Sequence, residues 1–427
     1  MSEVNNKAKS ALVPKLRFPE FRDAAVWKLE PMGTLAKRRT VKNTVVEHVR
    51  VLTNSAEFGV MDQRDYFEKD IANQGNLDGY YIVEKGDYVY NPRISANAPV
   101  GPISKNNIGV GVMSPLYTVF RFNNPNNDFF AHYFKSTHWH HYMRQASSTG
   151  ARHDRISITS DAFMGLPVPV STPKEEQKIS DCLSSLDELI AAESQKLETL
   201  KAQKQGLMKS LMPVEDETVP RLRFPEFRNA KDWKENRLED LAKRGSGHTP
   251  SKAHPEYYGG GIKWVSLADS KRLDAGLIEE TETEISAAGI ENSSAVLHPA
   301  GSVLLSRDAG VGKSAVMGSD MAVSQHFIVW TCKPDRLYNW FLYYSLQHKK
   351  PLFERVATGS TIKTIGLPFF VDMKLALPTL PEQKMIADCL ASLDLRITAQ
   401  AKRVDALRAH KKGLVQQLFP ALEEVQE

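Results

Sequence analysis

The chain repeats itself. Val13-Pro14-Lys15-Leu16-Arg17-Phe18-Pro19-Glu20-Phe21-Arg22 returns as Val219-Pro220-Arg221-Leu222-Arg223-Phe224-Pro225-Glu226-Phe227-Arg228, with nine of ten residues identical. A repeat at that separation governs the fold, because each copy must build the same supersecondary unit. The offset of 206 continues through Trp27 and Trp233, and through Leu35-Ala36-Lys37 and Leu241-Ala242-Lys243. A second pair of blocks, Asp181-Cys182-Leu183-Ser184-Ser185-Leu186-Asp187 and Asp388-Cys389-Leu390-Ala391-Ser392-Leu393-Asp394, recurs at an offset of 207. The 427 residues are a half, duplicated.

Each second block opens a long helix. Prolines up to Pro173 and Pro381 precede the blocks, and Pro213 and Pro420 follow them, so uninterrupted helix is expected in between. In the first helix, apolar residues fall at Ile179, Leu183, Leu186, Ile190, Leu197, Leu200, Leu207 and Leu211. The second repeats the register at Ile386, Leu390, Leu393, Ile397, Val404, Leu407, Leu414 and Leu418. Counting Glu193 and Lys204, and Gln400 and Lys411, as polar positions, the spacing alternates four and three, which is a coiled-coil seam. Two matched seams in one chain can satisfy each other, so intramolecular antiparallel pairing is expected, with a homo-oligomeric zipper as the alternative. About 39 residues rising ~1.5 Å each make a spacer of roughly 58 Å. Matching Glu176-Gln177-Lys178 to Glu382-Gln383-Lys384 makes the first helix one residue shorter before Asp181.

Composition excludes more than it assigns. Lys and Arg total 55 against 51 Asp and Glu, a net charge of +4 that does not by itself argue for nucleic acid. Three separated cysteines, Cys182, Cys332 and Cys389, make neither a disulfide framework nor a zinc site, and reduced, mostly buried thiols are expected. Met1 to Lys15 is polar and lacks the apolar run of a secretory signal, and no later stretch reaches the roughly 18 apolar residues of a membrane span, so the cytoplasm is the expected compartment.

Two modules, each followed by a heptad helix in tandem, resemble the DNA-specificity subunit of bacterial type I restriction-modification enzymes. The resemblance covers nearly the whole chain. It rests on the paired Pro-x-Leu-Arg-Phe-Pro-Glu-Phe segments at Pro14 and Pro220, the two Glu-Gln-Lys helix starts and the twin Asp-Cys-Leu-x-Ser-Leu-Asp blocks. It implies an α+β fold in which two target recognition domains are separated by two long antiparallel coiled-coil helices with pseudo-twofold symmetry. The expected order is a disordered tail over 1–12, recognition domains over 13–171 and 214–379, and spacer helices over 172–213 and 380–420. Each domain would read one half of a bipartite double-stranded DNA target, and the helices would set the gap and dock two DNA adenine methyltransferase (modification) subunits. The resemblance implies no catalysis and no cofactor on this chain. S-adenosylmethionine, ATP and Mg would belong to modification and restriction subunits of a phage-defence complex. A coiled-coil interaction scaffold without DNA readout is the alternative.

Residues 40–145 and 246–350 share little, which implies two different half-sites. Strand-like runs occur at Tyr80 to Val83, Asp87 to Tyr90, Tyr117 to Phe122, Ser302 to Leu305 and Phe327 to Trp330, so mixed α/β modules are expected. Single helices are expected over Phe129 to Gln145 and Tyr338 to Arg355, each running into a Thr-Gly pair, Thr149-Gly150 and Thr358-Gly359. After those pairs come Arg152, His153 and Arg155, and Ser360, Thr361 and Lys363, side chains able to bond phosphates and base edges. Further DNA-contact candidates are Lys37, Arg38 and Arg39, Lys243 and Arg244, Lys252, Lys263, and Arg93 and Arg307 just beyond two strands.

Three sharper motifs fail on inspection. Gly312-Lys313-Ser314 lacks the glycine a phosphate loop needs five positions before its second glycine, because Arg307 stands there. Asn91-Pro92-Arg93-Ile94 begins like the Asn-Pro-Pro-aromatic motif of amino-methyltransferases, yet has neither the second proline nor the aromatic. His138, His140 and His141 flank Trp139, but neighbours on one helix point in different directions and make no metal site.

Overall fold

The computed structural model describes residues 12–66, 77–124, 128–149, 154–215, 217–360 and 363–421. It divides into two compact units, one of residues 1–194 with 402–427 and one of 195–401, so each long helix contributes one half to each unit.

The first unit is built on a four-stranded antiparallel sheet in the order Ala36–Arg38, Thr118–Phe122, Tyr88–Tyr90, Ile103–Lys105. Alternate side chains of these strands, Tyr88, Tyr90, Phe120 and Phe122, meet Phe129, Phe130, Phe134, Trp139 and Phe163 in one buried aromatic core. Burying each ring stabilises the unit by roughly 1.5–3 kcal/mol. The repeated lead-in segment closes the unit: strand Lys28–Pro31 pairs antiparallel with Pro167–Val170, just before the first long helix. The far end of the chain returns to the same place, where Leu16 N donates to Gln417 O at 2.9 Å and Phe419 packs on Trp27.

The second unit repeats that sheet as Ala242–Ser246, Phe327–Cys332, Val303–Ser306, Ser314–Met317, with Leu277–Ile278 added in parallel at the edge. It also carries a second sheet in the order Thr283–Ile285, Tyr258–Val265, Met321–Val323, Leu297–His298. Strand Lys234–Arg237 pairs with Lys374–Leu377, and Leu222 N donates to Ser210 O at 2.9 Å, as in the first unit. The modules that diverge in sequence therefore keep one strand order. What changes between them is the material hung on the strands.

The long helices span Pro173–Leu211 and Leu380–Leu418, 39 residues each. Within the first unit, Asp187 faces Lys411 and Glu193 faces Arg403, so the partner number falls as the helix number rises and the pair is antiparallel. Ile179 and Leu183 share a core with Val415 and Leu418; in the second unit Leu211 shares one with Ile386 and Leu390. Leu186, Ile190, Leu197, Leu207, Ile397, Leu407 and Leu414 are half-buried, while Leu200, Leu393 and Val404 are buried. The polar seam positions Glu193, Gln400 and Lys411 are buried too, and Lys204 is half-buried.

Three expectations are corrected. The helices have equal length, and the offset is 207 from end to end, so Glu175 rather than Glu176 is the counterpart of Glu382. The extra residue lies earlier: the offset is 206 at strands Lys28–Pro31 and Lys234–Arg237 but already 207 at Pro167–Val170 and Lys374–Leu377. The aromatic helices are each broken. Phe129–Tyr133 and His140–Ala146 flank Ser136, whose hydroxyl accepts from His138 N and competes with helical bonding. Asn339–His348 gives way to Lys350–Val356 at Pro351, which lacks an N–H and fits only a first turn. Leu12, assigned to the tail, is buried, and Trp27 N donates to its carbonyl at 2.9 Å; the tail residues 1–11 lie outside the described residues. The three free thiols are half-buried.

Candidate nucleic-acid interface

Strand Ala36–Arg38 places Lys37 and Arg38 on opposite faces, so the basic run does not act as a block. Lys37 is exposed, Arg38 donates to Ser160 Oγ, and Arg39 binds Glu84 at 3.0 Å and approaches buried Asp87 at 3.9 Å. Arg121 Nε also donates to Asp87, at 2.7 Å. Burial pushes the Asp87 carboxyl up despite both arginines. Arg39 serves the fold first.

Arg93 follows strand Tyr88–Tyr90 and forms an antiparallel bridge with Arg155. Ile156 N donates to Pro92 O at 2.9 Å and Ile94 N to Asp154 O at 3.0 Å. The segment beyond Thr149-Gly150 is thereby stitched to the strand exit, and Asp154 lies 3.5 Å from Arg93 and 4.0 Å from Arg155. Arg152 and His153 lie outside the described residues.

The second unit repeats the stitch with other side chains. Ile365 N donates to Arg307 O at 2.8 Å and Asp308 bridges Thr364, which brings exposed Lys363 to the same strand exit. Arg307 is half-buried, with Nε lacking a hydrogen-bond partner among the described residues. Lys363, Lys313 and Lys350 line one cleft with Glu354 and the Ala309-Gly310-Val311 loop. Lys313 is held there by Asp274 at 2.9 Å, which is a different task from the phosphate loop its Gly-Lys-Ser setting suggests. Ala309 has a φ of 38°, a left-handed conformation that costs a side-chain-bearing residue about 1–2 kcal/mol.

The remaining candidates scatter. Lys243 and Lys252 are exposed, Arg244 donates to Glu239 at 2.7 Å, Lys263 sits 2.9 Å from Glu280, and Ser360 is exposed beside Thr361, which lies outside the described residues. Two residues at the second strand exit have no counterpart in the repeat and so gave no signal in the sequence. His326 Nδ1 lies 2.8 Å from Asp308 Oδ1, and Gln325 Oε1 accepts from Thr249 Oγ1 at 2.6 Å. Exposed cations beside side-chain amides and imidazoles suit phosphate contacts flanking base-edge contacts.

The histidines around Trp139 are part of the packing: His138 Nε2 lies 3.1 Å from Gln416 O, and burial holds His140 down to about 4. Among the described residues no group of three or more His, Cys, Asp or Glu is arranged to hold a metal ion, and no helix is long and apolar enough to cross a membrane.

Residues 230–407 match the family model described as "Type I restriction modification DNA specificity domain". That stretch, most of it within the second unit, is similar to the DNA specificity domain of type I restriction-modification systems. A relative from Methanocaldococcus jannaschii, the MjaIX specificity subunit of a type I restriction enzyme, is 26% identical over 42% of this chain and 41% of its own length. The putative MjaX specificity subunit of the same organism is 24% identical over 62% of this chain and 61% of its own. The chain thus spans about half the length of the curated relatives it matches. Among solved structures, a chain from a type I R-M system studied for complex assembly and conformational transition superposes with a TM-score of 0.59, at 16% identity, over 92% of this chain and 97% of that one. The S subunit of a type I restriction-modification system from M. genitalium does so with a TM-score of 0.55, at 13% identity, over 96% and 99%. These two likenesses establish the fold.

Proposed function

We propose that this chain reads a two-part DNA sequence on behalf of a type I restriction-modification complex and performs no bond-making step itself. One observation carries the reading: both units hold the same four-strand sheet, yet present unlike side chains at the equivalent strand exits, Arg93 and Arg155 in one, Arg307, His326 and Lys363 in the other. A common frame with different exposed chemistry is what reading two different half-sites requires. Each unit enters the major groove, where the four base pairs are distinguishable, and the long helices fix the unread gap.

The partners are two DNA adenine methyltransferase subunits docked on the helices, with restriction subunits joining them in the cytoplasm. S-adenosylmethionine, ATP and Mg act on those partners. Co-expression with the methyltransferase subunit, followed by mapping of methylated adenines, should reveal one gapped motif. Replacing residues 219–380 by the matching module of another such subunit should change one half of that motif only. A complex that neither methylates a defined motif nor shifts DNA in a gel would leave only a coiled-coil scaffold.

A further inference from the structure

The strand exit of the first unit carries an aromatic that the DNA-contact candidates leave out. Phe58 stands at the tip of the hairpin formed by Leu52–Ser55 and Gly59–Asp62, and 64% of its surface is exposed. An exposed phenyl ring leaves apolar surface free to be buried against an apolar group of a ligand. The tip is also closed by bonds of its own. Ser55 Oγ accepts from Glu57 N at 3.2 Å and Phe58 N at 3.3 Å, and Gly59 supplies a φ of 71° that closes the turn.

The hairpin is fastened to the arginine bridge by one residue, Asn91. Its amide donates to Asn54 O at 2.9 Å, while its Oδ1 accepts from Arg93 N at 3.0 Å. Asn54 is buried and anchors the hairpin further, donating to Val89 O at 2.7 Å. A Cβ on Gly101 would lie 2.1 Å from Asn91 O, so the backbone itself is packed against this pivot. The asparagine of the failed methyltransferase-like motif is therefore a positioning residue: it ties the backbone of the hairpin that carries Phe58 to the strand exit where Arg93 bridges Arg155.

We propose that Phe58 is a specificity-determining residue of the first unit, and that it contacts the 5-methyl group of a thymine while Arg93 and Arg155 hold the neighbouring phosphates. The inference rests on the DNA-reading function proposed above. A phenyl ring offers no hydrogen bond, and the apolar feature that base pairs display in the major groove is the thymine methyl. Asp154 lies within ion-pair range of both guanidinium groups, which keeps the two cations at the same strand exit.

The test uses the full chain with its methyltransferase partner, on duplexes of the mapped motif in which each thymine in turn is replaced by deoxyuridine. That exchange deletes one methyl and nothing else. Binding should weaken about fourfold at one position, the worth of one methyl-sized apolar contact. In Phe58→Ala that difference should vanish, with the other half-site read as before; Phe58→Leu should keep part of it. Asn91→Ala should blur the same position, because that tie is loosened. An unchanged deoxyuridine penalty in Phe58→Ala, equal tolerance of deoxyuridine throughout, or a motif half without thymine on the first unit's side would each overturn the inference while leaving sequence-specific binding intact. Loss of specific binding by the wild-type complex would instead refute the functional reading beneath it.

Discussion

The Arg17 guanidinium grips the Glu175 carboxylate at both ends, Nε to Oε1 at 2.7 Å and Nη2 to Oε2 at 2.8 Å, and Arg223 holds Glu382 the same way at 2.9 and 2.7 Å. This pair explains why the repeated lead-in segment is repeated. Arg17 also donates to Ala24 O and Ala25 O, so one side chain ties the segment to the first turn of the long helix. Both glutamates are almost wholly buried, and Trp233 Nε1 adds a bond to Glu382 at 3.4 Å. Removing the arginine strands a buried carboxylate. Arg17→Ala should cost the first unit about 3–5 kcal/mol and Arg223→Ala the second a similar amount, read as lower urea midpoints. A neutral outcome in either would mean that the lead-in segments are held by apolar packing alone.

Much of this was legible in the chain, for physical reasons that can be named. A heptad seam survives translation into structure because burial at Ile179, Leu183, Ile386 and Leu390 depends on periodicity alone. The five strand-like runs became strands since a short continuous run of aromatic and β-branched residues, as at Tyr88–Tyr90 or Phe327–Cys332, is a local signal of a buried strand. The helix breaks at Ser136 and Pro351 were local as well, but aromatic content masked them. What was not legible is which segments the strand exits bring together. Arg93 meets Arg155 across 61 intervening residues, a pairing set by the fold, and Phe58 reads as an ordinary hairpin residue until its exposure and the bond from Asn91 to Asn54 of its hairpin are known. Nor did the sequence announce that Arg39, Arg244 and Lys263 would each lie beside a carboxylate of their own unit.

Acid should weaken the first unit through His132. Burial, and then the nearby Lys411 and Lys135 charges, hold its imidazole down to about 4 from an ordinary 6.5, against the opposing pull of Asp187 and Asp128. Between these values the unfolded chain binds the proton and the folded chain does not, so stability falls as pH drops from 6.5 to 4 and is insensitive to this group above 6.5. The loss approaches ~3 kcal/mol at the acid end. His132 Nε2 lies 3.0 Å from Ser184 Oγ, a bond that glutamine can replace. In urea titrations across that range, His132→Gln should show a visibly shallower slope, the remainder coming from His140, which burial also depresses. A slope identical to wild type would show that His132 is not the group titrating.

The Asp308 carboxylate fixes the ring of His326, with Nδ1 at 2.8 and 2.9 Å from its two oxygens. Arg307 N donates to His326 O at 3.0 Å, so ring and backbone are both set at the strand exit of the second unit. His326→Ala should relax recognition at one position of one half-site, by the roughly 1–3 kcal/mol that a good base-edge contact is worth. Asp308→Asn should have a weaker effect at the same position. Methylated-base mapping reads both. A change in the half-site assigned to the first unit would contradict independent reading by the two units.

The polar positions in the seam invite a different kind of experiment, because their loss can stabilise. In the second unit Lys204 Nζ lies 2.5 Å from Asp394 Oδ1, the Tyr344 hydroxyl donates to Asp394 Oδ2 at 2.8 Å, and the ammonium sits 5.4 Å above the Tyr344 ring. The counterpart layer in the first unit is Lys411 against Asp187, with Lys135 where the second has Tyr344. There burial and the Lys135 charge lower the Lys411 ammonium to about 8. Lys204→Met alone leaves Asp394 with a single donor and should cost about 1–2 kcal/mol, less than a fully buried pair because both side chains keep some solvent. Asp394→Leu alone should cost a similar amount. The double variant, whose layer is apolar, should return to within ~1 kcal/mol of wild type or exceed it, since neither charge then needs desolvating. Its urea midpoint decides between two roles for this layer. Recovery in the double variant assigns the ion pair to fixing helix register, while an additive loss would assign it to stability outright.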